Sequence, residues 1–200
     1  MTNLSPQLDS QLRQGFKYFN PFMLGLFRLG LAPFVNAWPD VGGRIMVLAH
    51  TGRKTGRRRR TPVNYALVRG DVYCLAGFGR QADWYQNIRH TPAVEVWLPD
   101  GWWAGEAEDV SDSPDRLPLL RLVLIASGFA AYAAGVDPRQ MEDDQLASVT
   151  AGYRLVRIRR VEARTGAGGP GDLAWVWPAA AMALLPLALR GLFPRRPKAR

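Results

Sequence analysis

The sequence is short of the side chains that most often carry protein-borne chemistry. Among 200 residues there is one cysteine and there are two histidines. A lone Cys74 excludes an intramolecular disulfide and a cysteine-based zinc cluster. Its place in the apolar run Val72-Tyr73-Cys74-Leu75-Ala76 predicts a buried, inert thiol. His50 and His90 stand in no HExxH or related spacing, which favours structural or surface roles over metal ligation. No GxSxG elbow, Cys/His pair or calcium-loop spacing is present, so neither a side-chain nucleophile nor a metal is expected. Acidic residues are also few: 17 Asp and Glu against 26 Lys and Arg leave a net charge of +9. That deficit favours an anionic partner, and nucleic acid, anionic lipid and a polyanionic cofactor all match its sign.

The cations are concentrated in one place. His50-Thr51-Gly52-Arg53-Lys54-Thr55-Gly56 runs directly into Arg57-Arg58-Arg59-Arg60, then Thr61-Pro62. Two glycines allow positive φ and expose backbone N–H groups, while Arg53, Lys54 and Thr55 add cationic and hydroxyl donors. Such a turn is built to receive a phosphodiester or carboxylate, although a solvated hairpin turn has the same composition. Arg57 and Arg58 read as a solvated charge run. Arg59 and Arg60 alternate along the following strand, so one faces the anion site and the other faces away. A nucleic-acid binder would use the same run, but no reading motif or interleaved aromatics accompany it.

The ordered set Gly52-Arg53-Lys54-Thr55-Gly56, Arg59-Arg60-Thr61-Pro62, Ala76-Gly77-Phe78-Gly79 and Asp83-Trp84-Tyr85-Gln86-Asn87 resembles the deazaflavin-dependent nitroreductase family. The resemblance covers roughly residues 40–162. It implies an α+β, FMN-binding-like split β-barrel that takes coenzyme F420, an 8-hydroxy-5-deazaflavin, in preference to FMN. It also implies an oxidoreductase that passes hydride to a quinone-like or nitroaromatic acceptor; a slow or non-catalytic binder of F420, flavin or fatty acid on the same fold is the alternative. By resemblance Arg53, Lys54, Thr55 and Gly56 hold the phosphate and acidic tail. Arg59 is the phosphate-binding arginine, with Arg60 beside it and Thr61 and Pro62 beneath the ring. Gly77, Phe78 and Gly79 let backbone approach the deazaflavin, Trp84 packs beside it, and Asn87 fixes the helix or donates to the cofactor. The lysine that many relatives carry near Phe78 is absent here. Tyr65 and Tyr132 are the candidate acceptor contacts, since a phenol can donate to developing negative charge. No side chain is assigned to the hydride transfer itself.

Along the chain, 1–39 reads as a helical segment, 40–162 as the barrel, 163–172 as a glycine-rich linker and 173–200 as a tail. Pro21 is expected to break the first helix and Pro33 to end it. Strands are expected over 44–51, 59–68, 72–76, 93–98, 103–110 and 153–161, with short helix 81–89 between the third and fourth. Ser113 reads as the N-cap of a helix reaching about residue 135. Residues 173–189 carry no charge and are followed by Arg190, Arg195, Arg196, Lys198 and Arg200. This tail reads as a hydrophobic C-terminal helix that either associates with the cytoplasmic membrane face or docks on the barrel or a second copy in a homodimer. The N-terminal helix has the same two readings. A reducing, cytoplasmic compartment suits the cysteine content.

Overall fold

The computed structural model describes residues 19–192, with side chains of the last helix described as far as residue 185. Six antiparallel strands close into a barrel in the order β1-β2-β3-β6-β5-β4. They are β1 (Ile45–Thr51), β2 (Arg58–Val68), β3 (Asp71–Ala76), β4 (Ala93–Leu98), β5 (Gly101–Asp109) and β6 (Arg154–Ala163). Arg69 and Gly70 both take positive φ and join β2 to β3 as a two-residue hairpin turn. Met46, Leu48, Tyr65, Val72, Val96 and Ile158 point inward and form the core. Cys74 is fully buried among them, and desolvation pushes its thiol up to about 12, so it is inert as expected.

Strand β1 is apolar on both sides because both sides are covered. Met46 and Leu48 face the barrel, whereas Ile45 and Val47 face Trp97, Met23 and Phe27 outside it. Met23 and Phe27 lie on the helical run 19–28 (α1). Pro21 is the third residue of that described run, in the first turn, where a missing N–H costs no described hydrogen bond. Short helices α2 (Ala32–Val35) and α3 (Pro39–Gly42) lead into β1. The part of the N-terminal helix expected over residues 4–18 lies outside the described residues.

The split in the barrel comes from β2. Its first half pairs only with β1, and pairing with β3 begins at Tyr65. The Tyr65 N–H donates to the Arg44 carbonyl on the β1 side, so by alternation the Pro62 nitrogen faces the side where β2 has no strand neighbour. Proline therefore removes no ladder bond there.

Helix α4 (Asp83–His90) closes one end of the barrel with Tyr85 and Ile88, preceded by a 3-10 turn over Gly79–Gln81. Helix α5 (Arg116–Ala126) covers β2 and β3 from outside, burying Leu120, Val123 and Leu124. Two details differ from the sequence reading. Ser113 is not the N-cap: the helix opens at Arg116 after Asp115, and the Ser113 hydroxyl instead accepts the Asp115 N–H at 3.3 Å. The helix also stops at Ser127, because Gly128 takes φ +54 and presses against the Gly43 nitrogen, where no side chain fits. Helix α6 (Phe129–Ala133) follows, and α7 (Asp143–Val149), which buries only Leu146, leads toward β6.

The segment after β6 is not a loose linker. The Arg164 N–H donates to the Trp102 carbonyl at 2.7 Å, and Arg60 donates to the Gly168 carbonyl at 2.7 Å. Asp172 accepts from Arg28 at 2.9 Å, and the Gly171 and Leu173 N–H groups bind the Phe27 and Arg28 carbonyls. Gly169 lies flat on Trp102 where a Cβ would collide with the ring. This strap ties the barrel to α1 and leads into α8 (Val176–Leu192), which begins three residues later than the uncharged run and includes Arg190. Among the described residues no helix is long and apolar enough to cross a membrane.

Candidate cofactor-binding site

The β1–β2 connection is a tight, glycine-anchored turn at the mouth of the barrel. The Gly52 N–H donates to the Arg57 carbonyl at 2.9 Å, and the Gly52 carbonyl accepts the Thr55 and Gly56 N–H groups at 3.1 and 2.8 Å. Gly56 has φ +64, the left-handed conformation that glycine adopts without penalty. A Cβ on Gly52 would lie 2.8 Å from the Arg59 Nε and 3.1 Å from the Thr55 hydroxyl. Arg59 and Thr55 thus pack directly over the buried Gly52 backbone, where any side chain would displace them.

The turn is held from beneath by a buried polar chain. Asn87 on α4 accepts the Arg53 N–H and the Arg53 Nη1, both at 3.0 Å. With its oxygen so engaged, its NH2 faces the His50 Nδ1 at 3.3 Å, and the His50 Nε2–H donates to the Thr61 hydroxyl at 3.2 Å. Both ends of the Asn87 amide are occupied by protein, so it fixes the turn to α4. Arg53 also bridges to Asp83 at 3.0 Å.

His50 is 3% exposed, and burial, helped by the Arg59 charge, lowers its pKa to about 4, leaving a neutral ring. The unfolded chain takes up this proton near 6.5 and the folded chain only near 4. Between those values the unfolded state binds more protons, so stability falls as pH drops through the window and levels off below it. Urea unfolding should therefore show wild type losing about 2–3 kcal/mol more than His50→Gln between roughly pH 7.5 and 4.5. Equal losses in the two proteins would mean that His50 titrates freely.

The charge run divides into paired and unpaired cations. Arg58 is exposed, as expected of a solvated charge run, but it is not unpaired: it bridges to Glu95 and lies over the Trp102 ring at 5.8 Å. The reason is register: β1–β4 pairing brings Glu95 opposite Ala49, beside the start of β2. Arg60 turns away from the mouth, stacking on Trp97 at 4.9 Å and reaching the strap. Lys54, Arg57 and Arg59 are exposed and have no ion-pair partner among the described residues. Arg59 and the Thr55 hydroxyl therefore meet at the Gly52 backbone, on a turn that also carries the exposed, unpaired Lys54 and Arg57. This donor set fits a phosphate with further carboxylates attached.

The remaining candidates are spread more widely. Thr61 sits on the mouth face of β2, and Pro62 on its open edge. Phe78 and Trp84 are half-buried against the core, with Trp84 edge-on to Tyr85 at 6.4 Å. Gly77 has open space about its Cα, whereas Gly79 has φ +57 and abuts the Gly152 carbonyl. Tyr65 is 3% exposed inside the barrel, where burial raises its pKa. It lies four residues beyond Thr61, about 13 Å along the strand, toward Arg44. Tyr132 is exposed on α6, which packs on α3 at that same far end. Neither tyrosine is brought to the Gly52 turn. His50 and Asp83 belong to the site's support; only the proximity of His50 to the turn hinted at this.

A cationic turn at the mouth of a split antiparallel barrel is chemically suited to receive a phosphate-bearing cofactor. The family model described as F420H(2)-dependent quinone reductase matches residues 30–141, and the chain belongs to that family of oxidoreductases working with coenzyme F420. Similar solved structures include an F420-H2 dependent reductase at 21% identity, covering 57% of this chain and 91% of that one, with a TM-score of 0.41. A conserved hypothetical protein from Mycobacterium tuberculosis has 22% identity, 68% and 79% coverage and a TM-score of 0.43. The haem storage protein HutZ of Vibrio cholerae has 14% identity, 70% and 96% coverage and a TM-score of 0.43.

Proposed function

We propose that the Gly52 turn holds the phosphate and acidic tail of F420, and that the acceptor is a quinone-like molecule, with nitroaromatics as substitutes. The observation that carries this reading is a compact turn at the barrel mouth that carries the exposed, unpaired Lys54, Arg57 and Arg59, with Arg59 and the Thr55 hydroxyl side by side over Gly52. When bound, reduced F420 supplies a hydride from its deazaflavin ring. The chain's own residues bind and orient. Arg59, Lys54 and the Thr55 hydroxyl take the anionic groups, and Gly56 keeps the turn compact. The Asn87–His50–Thr61 chain holds the turn at a fixed place relative to β2 and α4. Phe78 and Trp84 shield the neighbouring edge from water.

Protein mixed with reduced F420 and a short-chain naphthoquinone should regain the fluorescence of oxidised F420 with saturation kinetics. A nitroaromatic acceptor should turn over more slowly. Tight binding of reduced F420 with no oxidation by either acceptor would favour the slow or non-catalytic binder instead.

A further inference from the structure

Helix α8 presents a problem that the cofactor site does not touch. From Val176 to residue 185 none of its side chains is buried, although the sequence there is almost wholly apolar. Trp175 is 64% exposed, Met182 73%, and Leu184 and Leu185 61% each. The base of the helix is firmly held all the same. Trp177 donates its indole N–H to the Leu29 carbonyl at 2.9 Å, just after the strap's Arg28–Asp172 bridge. Phe22 on α1, to which the strap is tied, is exposed as well. A held, apolar, uncovered helix needs a cover.

We propose that α8 is a contact surface for anionic lipid. The helix is apolar on every side, and a helix of that kind is normally surrounded. A second copy packed against one face would leave the others in water, whereas lipid wraps more of the helix surface. At 17 residues the helix is about 25 Å long, short of the bilayer's hydrocarbon core, and it contains Pro178 and Pro186. It therefore lies in the interface or enters one leaflet. Tryptophans at its start suit the headgroup boundary. The sequence from 173 to 200 has no acidic residue, and Arg190, Arg195, Arg196, Lys198 and Arg200 follow the apolar run, which selects anionic headgroups over neutral ones. The proposal stands independently of the F420 reading.

The test is flotation of the full chain with vesicles of phosphatidylcholine alone or with about 30% phosphatidylglycerol. Binding to the anionic vesicles should exceed that to neutral ones by about tenfold or more. Leu184→Asp with Leu185→Asp should remove binding to both, while F420 affinity and thermal unfolding stay as in wild type. Arg190→Gln, Arg195→Gln and Arg196→Gln together should remove the preference for anionic vesicles. Absence of vesicle binding, or binding that the Leu184 and Leu185 changes leave intact, would overturn the proposal. So would a dimer in sedimentation velocity that those changes dissociate while vesicles bind nothing, because a second copy would then be the cover.

Discussion

Lys54→Ala and Arg59→Ala should each weaken F420 binding by about 1.5–3 kcal/mol, or roughly 10- to 150-fold in Kd, the size of a lost charge-assisted hydrogen bond. Both side chains are exposed and unpaired among the described residues, so removing them leaves no buried charge behind. Unfolding midpoints should stay within about 0.5 kcal/mol of wild type. Arg57→Ala should cost much less, since Arg57 is exposed and only its backbone carbonyl lies against Gly52. Arg53→Ala differs in kind: it removes the side-chain tether to Asn87 and Asp83, so stability and affinity should fall together. Equal losses at Lys54, Arg57 and Arg59 with unchanged stability would mean a diffuse cationic field and no defined phosphate site.

Gly79→Ala should destabilise the protein by about 2–4 kcal/mol, combining left-handed backbone strain on alanine with overpacking. At φ +57 its Cβ would run into the Gly152 carbonyl, a backbone atom that cannot swing aside. Gly77→Ala has open space and should change stability by no more than about 0.5 kcal/mol. The family pattern gives both glycines the same task, close approach of backbone to the deazaflavin. In the structure the two differ: Gly79 packs against the turn at Gly152, whereas Gly77 has open space. Urea titration of the two variants alongside F420 titration decides the matter. A Gly79→Ala protein of wild-type stability that has lost F420 affinity would restore the cofactor role.

The strands were legible because local signals and tertiary demands agree. Residues 93–98 alternate and end at Asp100-Gly101, and β4 is Ala93–Leu98. Where several residues had to come together from distant positions, the sequence reading was weaker. Glu95 neutralises Arg58 only because β4 lies beside β1, and nothing in the run Arg57–Arg60 announces that neighbour. Asn87 could be placed near the cofactor from its motif, but its bond to His50 depends on how α4 caps the barrel. Helix α7 buries a single leucine, too little to give a readable period. The glycine-rich stretch after β6 looked like a linker because glycine is the residue of flexible chain. Gly169 is there for the opposite reason, to lie against the face of Trp102.

Fluorescence titration of the purified full chain with F420 and, separately, FMN tests the central claim most directly. A site of three unpaired cations around a backbone turn should favour the cofactor with the longer anionic tail. F420 should bind at about micromolar Kd or tighter, near −8 kcal/mol, with FMN much weaker and the F420 affinity falling as salt is raised. Tighter binding of FMN than of F420, or F420 binding indifferent to salt and to Lys54→Ala, would contradict it.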